Sequence, residues 1–253
     1  MNNIRRIVAF GDSNTFGQGL KDNVVTSAGF DYNVPSKFAY PALLGKQFNV
    51  PVENLSIPGC GNETIFRLLC NYIIGMPSAD NILEANSRMQ VTYQEGDLVL
   101  VGLSEPSRKE VYDCRNKAYH RIIAQQTPRF YDPTLDKSAK FLMSLESEES
   151  LFVKTLHQIG AIKSMLTALG ATYLIYHVLP AVGTEYYPIT INNYTTISIV
   201  KKYEAVWRML QDKNYIPHMI HSIASGNCLP CKHPNEAGQE LIADFLSKII
   251  NEL

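Results

Sequence analysis

The chain has 253 residues, a formal net charge of −1, and 45% apolar and 19% charged residues. These values are typical of one globular domain that can bury a sizeable core. The balanced charge, without a long run of one sign, argues against nucleic acid or an acidic membrane surface as a partner. No apolar stretch reaches the roughly 18 residues that a membrane-spanning helix needs.

The beginning of the chain predicts a strand and not a secretion signal. Two basic residues, Arg5 and Arg6, precede a short apolar run that stops at Gly11. A signal peptide stays apolar for longer and ends in small residues. The five cysteines form an odd, scattered set, which favours reduced thiols. We therefore expect a cytoplasmic location.

Apolar runs alternate with helical patterns along the chain. The runs predict strands at 4–10, 52–57, 97–101, 172–179 and 215–220, the last of them weakened by Pro217. Apolar residues spaced three to five apart predict helices over 65–73, 151–169 and 237–250. This alternation predicts a parallel sheet covered by helices on both faces, in a single domain over residues 1–253.

Two polar stretches, about 104–150 and 182–196, interrupt this alternation. Long excursions from the carboxyl ends of parallel strands usually shape the ligand cleft. We therefore expect both stretches to be insertions over the active site, with a partner-binding surface as the alternative for either one.

A serine follows the first predicted strand. The strand runs into Gly11-Asp12-Ser13, where the glycine allows a sharp turn. A serine just beyond the carboxyl end of a parallel strand points into the crevice of an α/β sheet. Taken alone, this segment is more typical of a polar turn or a helix cap.

A histidine near the other end of the chain changes that interpretation. His233 precedes Pro234 on the loop that enters the last predicted helix. Because this helix must pack on the same sheet, its loop can reach the strand end that carries Ser13. A serine hydroxyl is a weak nucleophile until a base removes its proton, and histidine is the usual base since its pKa lies near neutrality.

Three segments together resemble the SGNH/GDSL hydrolases. FGDSNT at 10–15 is similar to the first block of that family, NLSIPG at 54–59 to the second, and HPNEAG at 233–238 to the last, in the family's order. The resemblance spans residues 8 to 245 apart from the two insertions. It implies a three-layer α/β/α sandwich with a flavodoxin-like, parallel five-stranded sheet.

The resemblance also implies a reaction, the hydrolysis of an acyl ester. Ser13 attacks the carbonyl carbon and His233 accepts the serine proton, which gives an acyl-enzyme. The backbone amides of Ser13 and Gly59 line the oxyanion hole. We expect a small-molecule or carbohydrate ester with an acetyl or short acyl group, since insertions rich in Tyr and Asn suit a hydroxylated substrate. We expect no cofactor.

The third block of the family, Gly-x-Asn-Asp, is altered in this chain. GLSE at 102–105 puts Ser104 in place of the asparagine whose side chain is the third oxyanion donor, and Glu105 in place of the aspartate. We expect the Ser104 hydroxyl to donate instead. Asn62 and Arg108 are nearby alternatives, although Arg108 better suits a salt-bridged surface position.

The acid of the family's catalytic triad is missing from its usual place, three residues before the histidine, where this chain has Pro230. A main-chain carbonyl near Pro230, or a remote acid such as Glu105, could orient the imidazole instead. We therefore expect a Ser–His dyad or an atypical triad. Asp12, beside the nucleophile, is expected to hold the turn through backbone hydrogen bonds.

Cys228 and Cys231 stand close to His233 at a spacing that also occurs in metal sites. A structural zinc site needs four ligands, and no second pair stands close by in sequence. We therefore expect reduced thiols and no metal, with a disulfide or a metal site as the alternatives.

Two other functions stay open at this stage. An acyltransferase would use the same residues to pass the acyl group to a sugar hydroxyl. The altered third block would also suit a non-catalytic, carbohydrate-binding or virion-associated module of the same fold. A Ser-Glu third block followed by an arginine is similar to a branch common in tailed bacteriophages. The sequence predicts no oligomeric state.

Overall fold

The structure is a computed structural model that describes residues 4–23, 34–76, 91–106, 108–113, 118–122, 141, 145, 147–178, 210, 212–224, 226–229 and 233–253. The stretch at 182–196 and most of the stretch at 104–150 lie outside these ranges, so their place over an active site stays a prediction. No helix in the described ranges is long and apolar enough to cross a membrane.

A five-stranded parallel sheet forms the centre of the domain. Its strands are β1 (Arg6–Phe10), β2 (Val52–Asn54), β3 (Asp97–Leu103), β6 (Thr172–His177) and β7 (Tyr215–Met219). They lie in the order β2-β1-β3-β6-β7, and every neighbouring pair is parallel. Numbered along the chain, this is the flavodoxin-like order 2-1-3-4-5. The expected fold class is confirmed.

Helices cover both faces of this sheet because its strands are apolar on both sides. Successive residues of β1 point to opposite faces, so Val8 and Phe10 join one hydrophobic cluster while Ile7 and Ala9 join the other. The first cluster is covered by α3 (Asn62–Ile74) and α4 (Glu148–Ala168), and the second by α2 (Tyr40–Phe48) and α5 (Glu236–Ile250).

The strand order creates a crevice at one position. The chain leaves β1 towards β2 on one side and reaches β3 on the other, and in such sheets ligands bind at this switch point, beyond the carboxyl ends of the strands. A short helix, α1 (Ser13–Phe16), follows β1 here. The serine predicted as the nucleophile is its first residue.

The strand predicted around Pro217 is present and lies at the edge of the sheet, where a missing backbone donor is tolerated. Other details differ from the sequence prediction. An antiparallel hairpin, β4 (Lys109–Asp113) and β5 (Ala118–Ile122), occupies part of the polar stretch after β3. Leu241, predicted to be on the apolar stripe of α5, is 42% exposed, while Leu246 and Ala243 are buried.

Candidate active site

The nucleophile segment is built as a tight turn between β1 and α1. Gly11 has no room for a side chain, since a Cβ there would lie 2.1 Å from Thr15 Oγ1. Asp12 is the N-cap of α1, and its Oδ1 accepts a hydrogen bond from the Asn14 backbone amide at 3.0 Å. Ser13 therefore stands in the first helical position, only 5% exposed, at the carboxyl end of the strand.

His233 lies between a 3-10 turn (Ile220–Ala224) and α5, and the described residues on either side of 230–232 pair with each other. Leu229 N donates to His233 O at 2.7 Å, and Asn235 N donates to Asn227 O at 2.8 Å. The Asn235 side chain then caps α5 by accepting from Gly238 N at 3.0 Å.

These two segments, 220 residues apart, meet at the predicted pair. His233 Nε2 lies 2.8 Å from Ser13 Oγ, the distance of a good hydrogen bond. When Nε2 accepts the serine proton in this bond, the neutral imidazole carries its own proton on Nδ1. The structure thus brings together a hydroxyl and a base that sequence reasoning assigned to nucleophilic catalysis.

The second loop, which contains Gly59, packs directly on the nucleophile turn. Gly59 has a φ of +77°, a conformation that favours glycine. The Gly11 carbonyl accepts from Ile57 N at 3.0 Å and from Cys60 Sγ at 3.2 Å. Asn54 Nδ2 donates to the Thr15 carbonyl at 2.8 Å. Three hydrogen bonds therefore fix the position of the loop relative to the turn.

The third loop makes a polar cluster around the buried carboxylate of Asp12. Asp12 Oδ2 accepts from Ser104 Oγ at 3.1 Å and from Arg108 Nη1 at 3.2 Å. Arg108 also donates to the Cys60 carbonyl at 3.4 Å and has a side chain only 14% exposed. Arg108 is thus a partly buried ion-pair partner of Asp12 and not an exposed surface residue.

Two of the predicted oxyanion donors, Ser104 and Asn62, differ in whether their donor group already has a hydrogen-bond partner. The Ser104 hydroxyl, expected to face the substrate, directs its single proton to Asp12. The side chain of Asn62 is 97% buried, its Oδ1 accepts from Ser104 N at 2.7 Å, and its Nδ2 has no hydrogen-bond partner among the described residues. Such an unpaired buried donor is uncommon and calls for a reason.

The remaining predicted residues are only partly described. Glu105 Oε2 lies 3.9 Å from Arg108 Nε, at the border of the Asp12 cluster. Pro230 and Cys231 lie outside the described residues, so the carbonyl and the metal alternatives stay predictions. Cys228 is exposed.

Sequence reasoning missed one polar residue that touches the nucleophile segment. Gln239, on the buried face of α5, is 1% exposed and donates from Nε2 to the Asn14 carbonyl at 3.2 Å. A signal was present, because Gln239 lies three, four and seven residues before the buried Ile242, Ala243 and Leu246. A polar residue at that spacing lies on the buried face of the helix.

No protein-family model and no curated protein matches the sequence. Among solved structures, the chain is similar to a member of the lipolytic G-D-S-L family from Veillonella parvula, at 12% identity and a TM-score of 0.48, over 98% of this chain and 100% of that one. It is similar to an extracellular lipase from Streptomyces rimosus at 14% identity and a TM-score of 0.43, over 98% and 99% of the two chains.

The chain is also similar to an acetyl xylan esterase from the rumen bacterium Butyrivibrio proteoclasticus, at 12% identity and a TM-score of 0.46. This likeness covers 98% of the present chain and 64% of the esterase. With identities this low and TM-scores below 0.5, the chemistry of this chain has to come from the geometry of its own residues.

Proposed function

We propose that this chain is a serine hydrolase that cleaves carboxylic esters through an acyl-enzyme on Ser13. The observation that carries the proposal is the 2.8 Å hydrogen bond between His233 Nε2 and Ser13 Oγ. Both groups stand at the switch point of a parallel sheet, where α/β folds of this kind bind their ligands.

In the acylation step, Ser13 Oγ attacks the ester carbonyl carbon while His233 Nε2 takes the hydroxyl proton. The tetrahedral intermediate collapses when the bond to the alcohol oxygen breaks, and His233 returns the proton to that oxygen. In the second step His233 takes a proton from water, and the resulting hydroxide attacks the carbonyl carbon of the acyl-enzyme. The bond from that carbon to Ser13 Oγ then breaks, His233 returns the proton to Ser13 Oγ, and the acid leaves. Every proton that moves passes through one ring nitrogen, so no metal or cofactor is required in this scheme.

We assign the developing oxyanion to three donors. The backbone amide of Ser13, in the first position of α1, has no acceptor within the helix. The Gly59 amide is the second donor, by the resemblance of its loop. We infer that Asn62 Nδ2 is the third, because it is buried without a protein acceptor while the Ser104 hydroxyl is engaged by Asp12. A donor in such a hole is worth about 10²–10³ in turnover.

The base works as a Ser–His dyad or with an atypical acid. The buried Asp12 carboxylate is engaged on both oxygens, by Asn14 N and by Ser104 Oγ and Arg108 Nη1, which suits it to fixing the nucleophile turn. Glu105 and a main-chain carbonyl at 230–232 are the proposed alternatives for holding His233 Nδ1.

The proposed substrate is a short acyl ester of a small molecule or a carbohydrate. A panel of p-nitrophenyl esters from acetyl to decanoyl tests the acyl group, and acetate release from acetylated sugars tests the alcohol. Wild type is expected to turn over acetyl and butyryl esters, and Ser13→Ala and His233→Ala to lose at least about 10⁴-fold in kcat. Ser247→Ala, which changes a serine on α5 far from the site, serves as the control.

If wild type hydrolyses the esters and Ser13→Ala still does so, the proposal is refuted. Transfer of the acetyl group to an added sugar, with little free acid, would redirect it to an acyltransferase that uses the same residues.

A further inference from the structure

The side chain of Gln239 makes two hydrogen bonds that join three separate segments of the chain. Its Oε1 accepts from the Tyr40 backbone amide at 2.9 Å, and its Nε2 donates to the Asn14 carbonyl at 3.2 Å. Both ends of one amide are thus used inside the core, where Gln239 is 1% exposed. We propose that Gln239 is a positioning residue that fixes the separation between Ser13 and His233.

The base, His233, is attached to the start of α5. His233 lies on a loop whose backbone is bonded to itself and to the start of α5, through the pairs Leu229–His233 and Asn227–Asn235 and the Asn235 cap. The loop therefore moves with the first turns of α5. The position of these turns relative to α1 decides the distance between the base and the nucleophile.

Apolar packing alone fixes α5 only in part. Its buried residues near the start are Gly238, which has no side chain, and Gln239. The large apolar side chains, Ile242, Leu246 and Ile250, follow further along. Because apolar contacts are non-directional, they keep the helix on the sheet, but a small shift of the helix along its axis costs little free energy. Hydrogen bonds, which have preferred distances and angles, remove that freedom.

Gln239 supplies this directional contact at the required place. It lies six residues after His233, and its acceptor, the Asn14 carbonyl, belongs to the residue after Ser13. One side chain therefore links the helix that carries the base to the turn that carries the nucleophile.

Tyr40 closes the link into a ring. It is the first residue of α2, whose N-cap, Ala39, has no side-chain acceptor to offer, so Gln239 Oε1 satisfies an amide at the helix start. The Tyr40 hydroxyl in turn lies 2.8 Å from Thr15 Oγ1, on α1 itself. Gln239, Tyr40 and the α1 turn thus form one closed, buried hydrogen-bonded unit beside the reacting pair.

The proposal rests on the proposed function, because a separation is worth fixing only if the pair reacts. A test should therefore include a measurement that needs no substrate. Gln239→Met removes both hydrogen bonds at similar length, and Gln239→Asn keeps the amide but cannot reach both partners. Gln47→Leu is the matched control, since Gln47 Nε2 also joins α2 to α5, by a 2.7 Å bond to Asp244 Oδ1 on the exposed side.

The kinetic readouts are kcat, KM and the second-order rate of fluorophosphonate labelling, each beside the melting temperature. For both Gln239 variants, kcat and the labelling rate are expected to fall about 10- to 100-fold, as for a displacement of reacting groups by up to an ångström. KM is expected to stay within about two-fold because bound substrate contacts are unchanged. The control is expected to keep all three values.

A crystal structure of Gln239→Met, or of Gln239→Asn if the first variant does not fold, gives the substrate-free readout. A Ser13 Oγ–His233 Nε2 distance beyond 3.5 Å is expected. The wild-type distance in the variant, or a kcat within two-fold of wild type in the folded fraction, would overturn the inference. If wild type itself is neither labelled nor active, the proposed function fails, and the crystallographic distance still decides the role of Gln239.

Discussion

Two arginine–aspartate pairs, each with a buried aspartate and a partly buried arginine, lie at opposite ends of the same two strands and can be compared by matched substitutions. Arg108 binds Asp12 at the carboxyl ends of β1 and β3, beside Ser13. Arg6 binds Asp97 at the amino ends, with Nε at 2.8 Å from Oδ1. We predict that Arg108→Gln and Arg6→Gln destabilise the domain to a similar degree, and that only Arg108→Gln lowers activity.

The expected loss of stability follows from the burial of each pair. Removing one partner of a buried pair costs about 3–5 kcal/mol. Both arginine side chains keep about one seventh of their surface exposed, and both aspartates retain other donors, Ser104 and Asn14 for Asp12 and Tyr72 for Asp97. We therefore expect about 2–3 kcal/mol for each variant, or a melting temperature lower by about 4–12 °C in a domain of this size.

The expected loss of activity is confined to one end of the sheet. Arg108 also holds the Cys60 carbonyl, next to Gly59, so its loss loosens two of the loops that carry the proposed oxyanion donors. We expect kcat/KM for a p-nitrophenyl acetate assay to fall about 10- to 100-fold in Arg108→Gln, and to stay within two-fold in Arg6→Gln. Equal losses of kcat/KM in the two variants, measured well below both melting temperatures, would contradict a specific role of Arg108 in activity.

Two further predictions concern a buried base and a buried donor. Burial lowers the pKa of His177 to about 4 from 6.5, so the unfolding free energy should fall by about 1.4 kcal/mol per unit as the pH drops from 6.5 to about 4. Denaturant titrations should show this slope in wild type and its loss in His177→Gln; an equal slope in both would contradict the assignment. Asn62→Ala should lower kcat about 10²-fold with KM little changed, while Ser104→Ala should retain most activity. The opposite ranking in steady-state kinetics would return the third donor to Ser104.

The strands and most helices could be predicted because local pattern specifies them. The apolar runs before Gly11 and after Asp97 are long enough to identify buried strands, and the order of chain segments then fixes a parallel sheet. Helix α2 was missed, since Tyr40–Phe48 is short and has a proline in its first turn. The hairpin after β3 was missed because its partners are distant in sequence: Arg67 and Thr64 on α3 bind Glu110.

The reacting pair could be predicted from the sequence, whereas the side-chain contacts around it could not. Ser13 and His233 each stand in a recognisable segment at a chain position that the fold brings to one sheet edge. The direction of the Ser104 hydroxyl and the burial of Arg108 depend on one another and on Asp12, through side-chain contacts about 90 residues apart. Nothing in local spacing fixes such contacts. The spacing on α5 indicates that Gln239 is buried, but its bond to Asn14, 225 residues away, depends on the tertiary fold in the same way.

The role of Ser13 as nucleophile is tested by the site and rate of its reaction with a fluorophosphonate, followed by intact mass and peptide mapping. A reaction at Ser13 with His233 as base should give one adduct per chain in wild type, on Ser13, and should be slowed by about 10³-fold or more in His233→Ala. An adduct on another residue, or an equal labelling rate without the imidazole, would contradict it.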